Sequence, residues 1–180
     1  MLPVLDTPRL RLRPPVAGDA AALFPIFNDP ATMLYWSRPP MTDVAEAREL
    51  VADIERHAAA GTLYEWGLAR REDDLVIGTA TLFRIDREHR RAELGYILRR
   101  DHWGRGLANE ALTAILHHAF ETLGLHRLEA DIDPRNTASI RSIERLGFKR
   151  EGHLRERYFV AGDIQDSLMY GLLEQEWRSR

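Results

Sequence analysis

The 180-residue chain contains no cysteine. That excludes disulfides, thiolate metal sites and a cysteine nucleophile. Lysine is nearly absent: of 25 basic residues, only Lys149 is a lysine. A large excess of one charge is missing too. Lys+Arg is 25 and Asp+Glu is 28, so the net charge is −3. This balance argues against a dedicated nucleic-acid binder. No apolar run reaches the ~18–20 residues that cross a bilayer, so no membrane partner is expected. The start, MLPVLDTPRLRLRPP, lacks the apolar core of a secretory signal, so a cytoplasmic setting is expected. Metal signatures such as H-E-x-x-H are absent despite seven histidines, and His117 and His118 point to different faces of one helix, so no metal is expected. There is no P-loop, no G-x-G-x-x-G and no G-x-S-x-G elbow.

What remains is ordinary for a soluble protein: 44% apolar and 29% charged residues. Length fits one domain over residues 1–180, and no proline-bearing segment reads as a domain hinge. Period-2 alternation predicts a strand over 9–13 (RLRLR). Asp19 is placed to cap an apolar helical segment through Phe27, with Pro25 bending or breaking it. Asp43 and Glu46 have capping-box form, and a helix over 44–60 stops at Gly61. Strands follow over 65–71 and 75–85, joined by an acidic turn, and another over 91–99. Apolar positions at 107, 108, 111, 112, 115, 116, 119, 120 and 123 predict a long amphipathic helix closed by Gly124. A strand over 127–132, a helix over 137–146 capped by Asn136, and strands over 153–160 and 165–173 complete the chain. This order predicts an α+β fold, a mostly antiparallel mixed sheet with helices on both faces.

The chemistry concentrates in ELGYILRRDHWGRGLANEAL, residues 93–112. A strand enters a loop holding Gly104 and Gly106, then a helix. Glycines allow close backbone approach to a ligand. The helix start offers unpaired N–H donors and a positive dipole end, which suits a phosphate or pyrophosphate. Arg99, Arg100 and Arg105 surround this loop and can add charge-assisted bonds.

The strand–HWGRGLANEA–helix arrangement resembles motif A of the GNAT acyl-CoA N-acyltransferases. TPRLRLRP followed by GDA resembles the start of the ribosomal-protein N-acetyltransferase (RimJ/RimL-like) branch. NTASIRSIERLGFKREG, residues 136–152, and the tail RERYFVAGDIQDSLMYGLLEQEW, 155–177, resemble later blocks of that branch. The resemblance covers nearly the whole chain. Asp101 departs from it, because the family pattern [Q/R]-x-x-G-x-[G/A] places Gln or Arg there.

The resemblance implies a GNAT fold, acetyl-CoA as donor and a primary amine as acceptor. The acceptor it favours is a protein or peptide N-terminal amine. A small amine (amino acid, polyamine or antibiotic) is an alternative, as is a non-catalytic CoA-binding module. Either a monomer or a homodimer is compatible with it. Gly104, Arg105, Gly106, Leu107 and Ala108 would hold the pyrophosphate. Ile97, Leu98 and Arg99 would pair with the pantetheine arm, an N–H near Ile97 serving the carbonyl oxygen. Glu93 is the candidate general base; alternatively it is a salt-bridged glutamate beside Arg91. Ile143 stands where the general family pattern has a tyrosine acid. Ser139 is then the candidate donor to the leaving thiolate, with Asn136 beside it. Both could instead be plain helix-start residues. Tyr35 and Trp36 would wall an acceptor pocket or belong to the core. Tyr158, Asp166 and Glu156 would read acceptor charge or be solvated loop residues.

Overall fold

The computed structural model describes residues 2–180. Eight strands form one sheet in the order β1-β2-β3-β4-β5-β6-β8-β7. They are β1 (Leu5–Asp6), β2 (Leu10–Arg13), β3 (Tyr64–Arg70), β4 (Val76–Asp86), β5 (Arg91–Leu98), β6 (Arg127–Ile132), β7 (Lys149–Val160) and β8 (Asp163–Leu173). Every pairing is antiparallel except β5 with β6. The α+β class with a mostly antiparallel sheet is therefore as expected.

Helices cover both faces. On one face, α1 (Ala20–Asn28) and α3 (Val44–Ala60) enclose Leu23, Ile26, Phe27, Val51 and the β5 residue Ile97. On the other, α4 (Leu107–His117) lays its apolar stripe on Trp66, Leu82, Leu94 and Leu128. The short α5 (Thr137–Arg145) adds Ile143 to that second core. Two small helices, α2 (Pro30–Met33) and α6 (Glu174–Arg178), were not expected. Side chains alternate between faces along a strand. Glu93, Gly95 and Ile97 thus share the α1/α3 face, while Leu94, Tyr96 and Leu98 face α4.

Helix α3 has the expected cap. Asp43 accepts from Ala45 N–H at 2.7 Å, Glu46 reaches back, and Gly61 takes the left-handed conformation (φ 67°). Other expectations need correction. Asp19 does not cap α1: its carboxylate accepts from Arg13 Nη1 at 2.7 Å and from Val16 N–H at 2.8 Å. Helix α1 also runs through Pro25 to Asn28. The helical stripe expected to Leu123 changes to a π-turn over His118–Thr122, where Leu123 N–H reaches the His118 carbonyl at 3.0 Å. The extra residue per turn keeps His118 against Trp66, with ring centroids 5.7 Å apart. Strand β7 starts at Lys149 rather than 153 and carries two irregularities.

Candidate active site

Two strands part at the centre of the sheet. β5 pairs with β6 only over Arg91, Ala92 and Glu93, opposite Arg127, Leu128 and Glu129. Beyond Glu93, β5 continues without a ladder partner on that side. The glycine loop and α4 follow directly. Gly104 (φ 72°) and Gly106 (φ 74°) both take the left-handed region, which disfavours side chains. No atom lies within 4 Å of where a Cβ on Gly104 would sit. The result is a bare backbone concavity at a helix start. Leu107 and Ala108 open α4, and their N–H groups have no partner within the helix.

The loop is stapled from below by residues that sequence reasoning missed. Arg9 donates from Nη1 to the Arg105 carbonyl at 2.9 Å and from Nε to Glu110 at 2.6 Å. Thr7 Oγ1 adds a bond to Glu110 at 2.7 Å. These donors hold the Glu110 carboxyl below its usual pKa, although burial opposes them. Arg99 does not reach towards the loop as a free cation. Its guanidinium grips Asp101 at 2.7 and 2.9 Å. Asp101, the residue that departs from the family pattern, is held far below the ordinary carboxylate range by Arg99 and His102. Arg100 and Arg105 are exposed beside the loop.

The expected strand edge shifts by one residue. Arg99 N–H donates to the Ile77 carbonyl at 2.7 Å. In an antiparallel ladder, hydrogen-bonded and non-bonded pairs alternate. Ile97, opposite Thr79, therefore directs its N–H and carbonyl towards β4. Its carbonyl also lies where a Cβ on Gly78 would go. The groups turned to the open side belong to Tyr96 and Leu98, rather than to Ile97 or Arg99. The Leu98 carbonyl there accepts from Trp103 Nε1 at 2.6 Å.

Helix α5 stands across this gap. Asn136 is its cap, with Oδ1 accepting from Ser139 N–H at 3.1 Å. Ser139 Oγ lies 2.9 Å from the Tyr96 hydroxyl. Burial pushes the Tyr96 phenol above the usual tyrosine value. The family's tyrosine position holds Ile143, but a phenol reaches the same gap from β5. Asn109 and Ser142 lock α4 to α5, with Ser142 Oγ donating to Asn109 Oδ1 at 2.7 Å.

On the opposite face, Glu93 is buried and accepts from Arg84 Nη1 at 2.7 Å. Arg84, rather than Arg91, is its partner; Arg91 pairs with Glu129 and Asp86. A neighbouring hub is Asp131, also missed from sequence. Tyr158 donates its hydroxyl to Asp131 Oδ2 at 2.7 Å, Arg157 Nε lies 3.1 Å from the same oxygen, and Ser167 Oγ donates to Oδ1. Burial and Asp131 raise the Tyr158 pKa. Asp166 stands apart from this group. It braces the β7 irregularity, accepting from Glu156 N–H at 2.9 Å and lying 2.7 Å from His153 Nε2. Glu156 itself takes φ 53° there and contributes a backbone donor. Tyr35 leans on Arg135, which follows β6, at 5.8 Å from ring centroid to guanidinium. Trp36 packs edge-on against Phe27 in the α1/α3 core.

A glycine loop at a helix start, a parted strand pair and a capped helix over the gap define an acyl-CoA-dependent transferase. Residues 9–149 match the Acetyltransferase (GNAT) domain family, and the chain belongs to that family. It is an N-acetyltransferase, and the family uses acetyl-CoA. Among relatives, p20 of Bacillus licheniformis, named an N-acetyltransferase, is 38% identical over 173 residues, 96% of this chain and 97% of that one. YdaF of Bacillus subtilis, whose name gives it provisionally as a ribosomal N-acetyltransferase, is 30% identical over 80% of this chain and 78% of its own. The crystal structure of Vibrio cholerae spermidine N-acetyltransferase with CoA and spermine superposes with a TM-score of 0.83. It is 27% identical and the match covers 94% of this chain and 98% of that one.

Among the described residues, no helix is long and apolar enough to cross a membrane, and no group of three or more His, Asp or Glu is placed to hold a metal.

Proposed function

We propose that the chain acetylates the α-amine of a polypeptide N-terminus, by direct attack in a ternary complex. One observation carries the choice of acceptor. The three carboxylates that β5 and β6 bring to the gap are matched with arginine: Glu93 with Arg84, Glu129 with Arg127, Asp131 with Arg157. A polycation would need several free carboxylates and would have to displace these partners. A single α-amine, with a pKa near 8, needs only one acceptor and is partly neutral at pH 7. The β7–β8 hairpin also presents Phe159 and Ile164, cross-strand partners 76% and 60% exposed, as an apolar surface for a polypeptide.

Acetyl-CoA supplies an acetyl group activated as a thioester. The bare backbone at Gly104 and the N–H groups of Arg105, Gly106, Leu107 and Ala108 suit its pyrophosphate, with Arg100 and Arg105 adding charge. The open edge at Tyr96 and Leu98 suits its extended amide arm. Backbone N–H groups of that edge donate to the carbonyl oxygen as negative charge develops. Glu93 receives the amine and orients it for attack. The Tyr96–Ser139 hydroxyl pair delivers a proton to the departing thiolate. Tyr35 and Tyr158 flank the acceptor's approach. With no cysteine to carry the acetyl group, transfer needs no covalent enzyme intermediate.

The test is an acceptor screen read by CoA release. N-terminal peptides should outperform spermidine and spermine. Turnover of polyamines alone would replace this reading with the small-amine one.

A further inference from the structure

A second buried carboxylate lies on the Glu93 face of the sheet, and the reaction as described does not use it. Glu65 projects from the middle of β3 and is only 7% exposed. In register across the sheet it faces Thr81 on β4, which in turn faces Gly95 on β5. Thr81 and Gly95 are half-buried although they sit mid-sheet. Two small residues therefore leave a trough open on this face. It runs from Glu65 to the strand that bears Glu93, over two strand spacings, roughly 10 Å. Phe83 borders it, its Cε1 lying 3.3 Å from where a Cβ on Gly95 would be.

Resting on the acetyltransfer reading above, the geometry points to Glu65 as the group on which the acceptor amine's proton ends, passed along the trough by the Thr81 hydroxyl. The step balances simply. The ammonium N–H bond breaks, the Glu65 O–H bond forms, and the amine is left neutral for attack. The proton returns to solvent after the product leaves. Glu93 has one oxygen committed to Arg84 and orients the amine, so the two carboxylates divide the work.

The surroundings of Glu65 suit this role. Burial pushes its carboxyl up to about 7, opposed by the hydroxyls of Thr79 and Thr81 and by the Arg38 guanidinium. Among the described residues, Arg38 is the charged group bearing on it. Helix α3 packs Ala47, Val51 and Ile54 into the core on this side. Helix α1 contributes Leu23 and Phe27. Arg13, opposite Gly67 further along β3, is closed on Asp19 and Asp74. A proton acceptor works best when its pKa lies near the working pH.

The experiment compares the full chain with Glu65→Gln and Thr81→Val, using acetyl-CoA and an N-terminal peptide. In the wild type, kcat/KM should fall about tenfold per pH unit below a midpoint near 7, as for one essential base. Glu65→Gln should flatten that limb, and Thr81→Val should lower kcat several-fold and move the midpoint upward, because it removes a hydroxyl that opposes the effect of burial. A limb unchanged in Glu65→Gln overturns the inference and leaves the acetyltransfer reading intact. Failure to acetylate any amine overturns both. A measurement independent of turnover is the carbon-13 titration of the Glu65 carboxyl in the unliganded protein. A midpoint near 7 supports the role, and one in the ordinary range of 4–5 overturns it.

Discussion

The Tyr96 hydroxyl and Ser139 Oγ lie 2.9 Å apart, joining β5 to α5 across the gap left by β6. In the proposed mechanism the two hydroxyls form one proton route. Tyr96→Phe and Ser139→Ala should each lower kcat about tenfold or more, with KM for acetyl-CoA little changed. Residues that act as a unit are non-additive, so the double variant should be no slower than the slower single one. Steady-state kinetics with a peptide acceptor checks this, and multiplicative losses would separate the two hydroxyls.

Glu110 ties the N-terminal segment to the glycine loop. Glu110→Ala leaves Thr7, Arg9 N–H and the Arg9 guanidinium without their shared acceptor. A loss of about 1–3 kcal/mol of stability is expected, with weaker CoA binding. The sign of the pH effect follows from its lowered pKa. This contribution is present above the unfolded value, near 4.3, and fades as pH falls through the lower folded value. Denaturant melts should therefore show the wild-type advantage at pH 7 shrinking below about pH 4.

Gly104→Ala tests the bare backbone. The new methyl meets no protein atom within 4 Å, so its cost in the unliganded chain comes from φ 72°. A left-handed non-glycine residue costs about 1–2 kcal/mol. Spent on reshaping the loop, that raises KM for acetyl-CoA about tenfold and leaves kcat at saturation unchanged. Calorimetric binding of CoA reads the same change without turnover.

Glu93→Gln should lower kcat by about 10²-fold with CoA affinity unchanged, because in the proposed mechanism this carboxylate receives the amine. The substitution keeps the side chain's shape and an oxygen for Arg84, which limits the structural cost. An unaltered kcat would take Glu93 out of the reaction.

Much of this site was legible before the structure, and the limit is one of sequence distance. The α4 stripe, the α3 capping box and the Gly104/Gly106 loop depend on neighbours a few residues apart, and all three formed. The Arg9–Glu110 staple, the Tyr96–Ser139 contact and the Asp131 hub join residues dozens of positions apart. Nothing local marks them. Glu65 is the clearest case. Within YEWGLA it reads as the outward residue of an alternating strand, yet α3 packs over β3 and buries it. Ile97 went wrong for a related reason. Which backbone groups of β5 point to the gap depends on the ladder with β4, which the segment itself does not encode. Asp19 had a cap's position, but Arg13 claimed its carboxylate.

The most direct test of α-amine acetylation is CoA release from acetyl-CoA by the purified chain. N-terminal peptides should be compared side by side with spermidine and spermine, and the product sites mapped by mass spectrometry. Peptides should release CoA and gain one acetyl group on the α-amine, and polyamines should release little. Release confined to polyamines, or acetylation on lysine side chains instead of the N-terminus, would contradict α-amine acetylation.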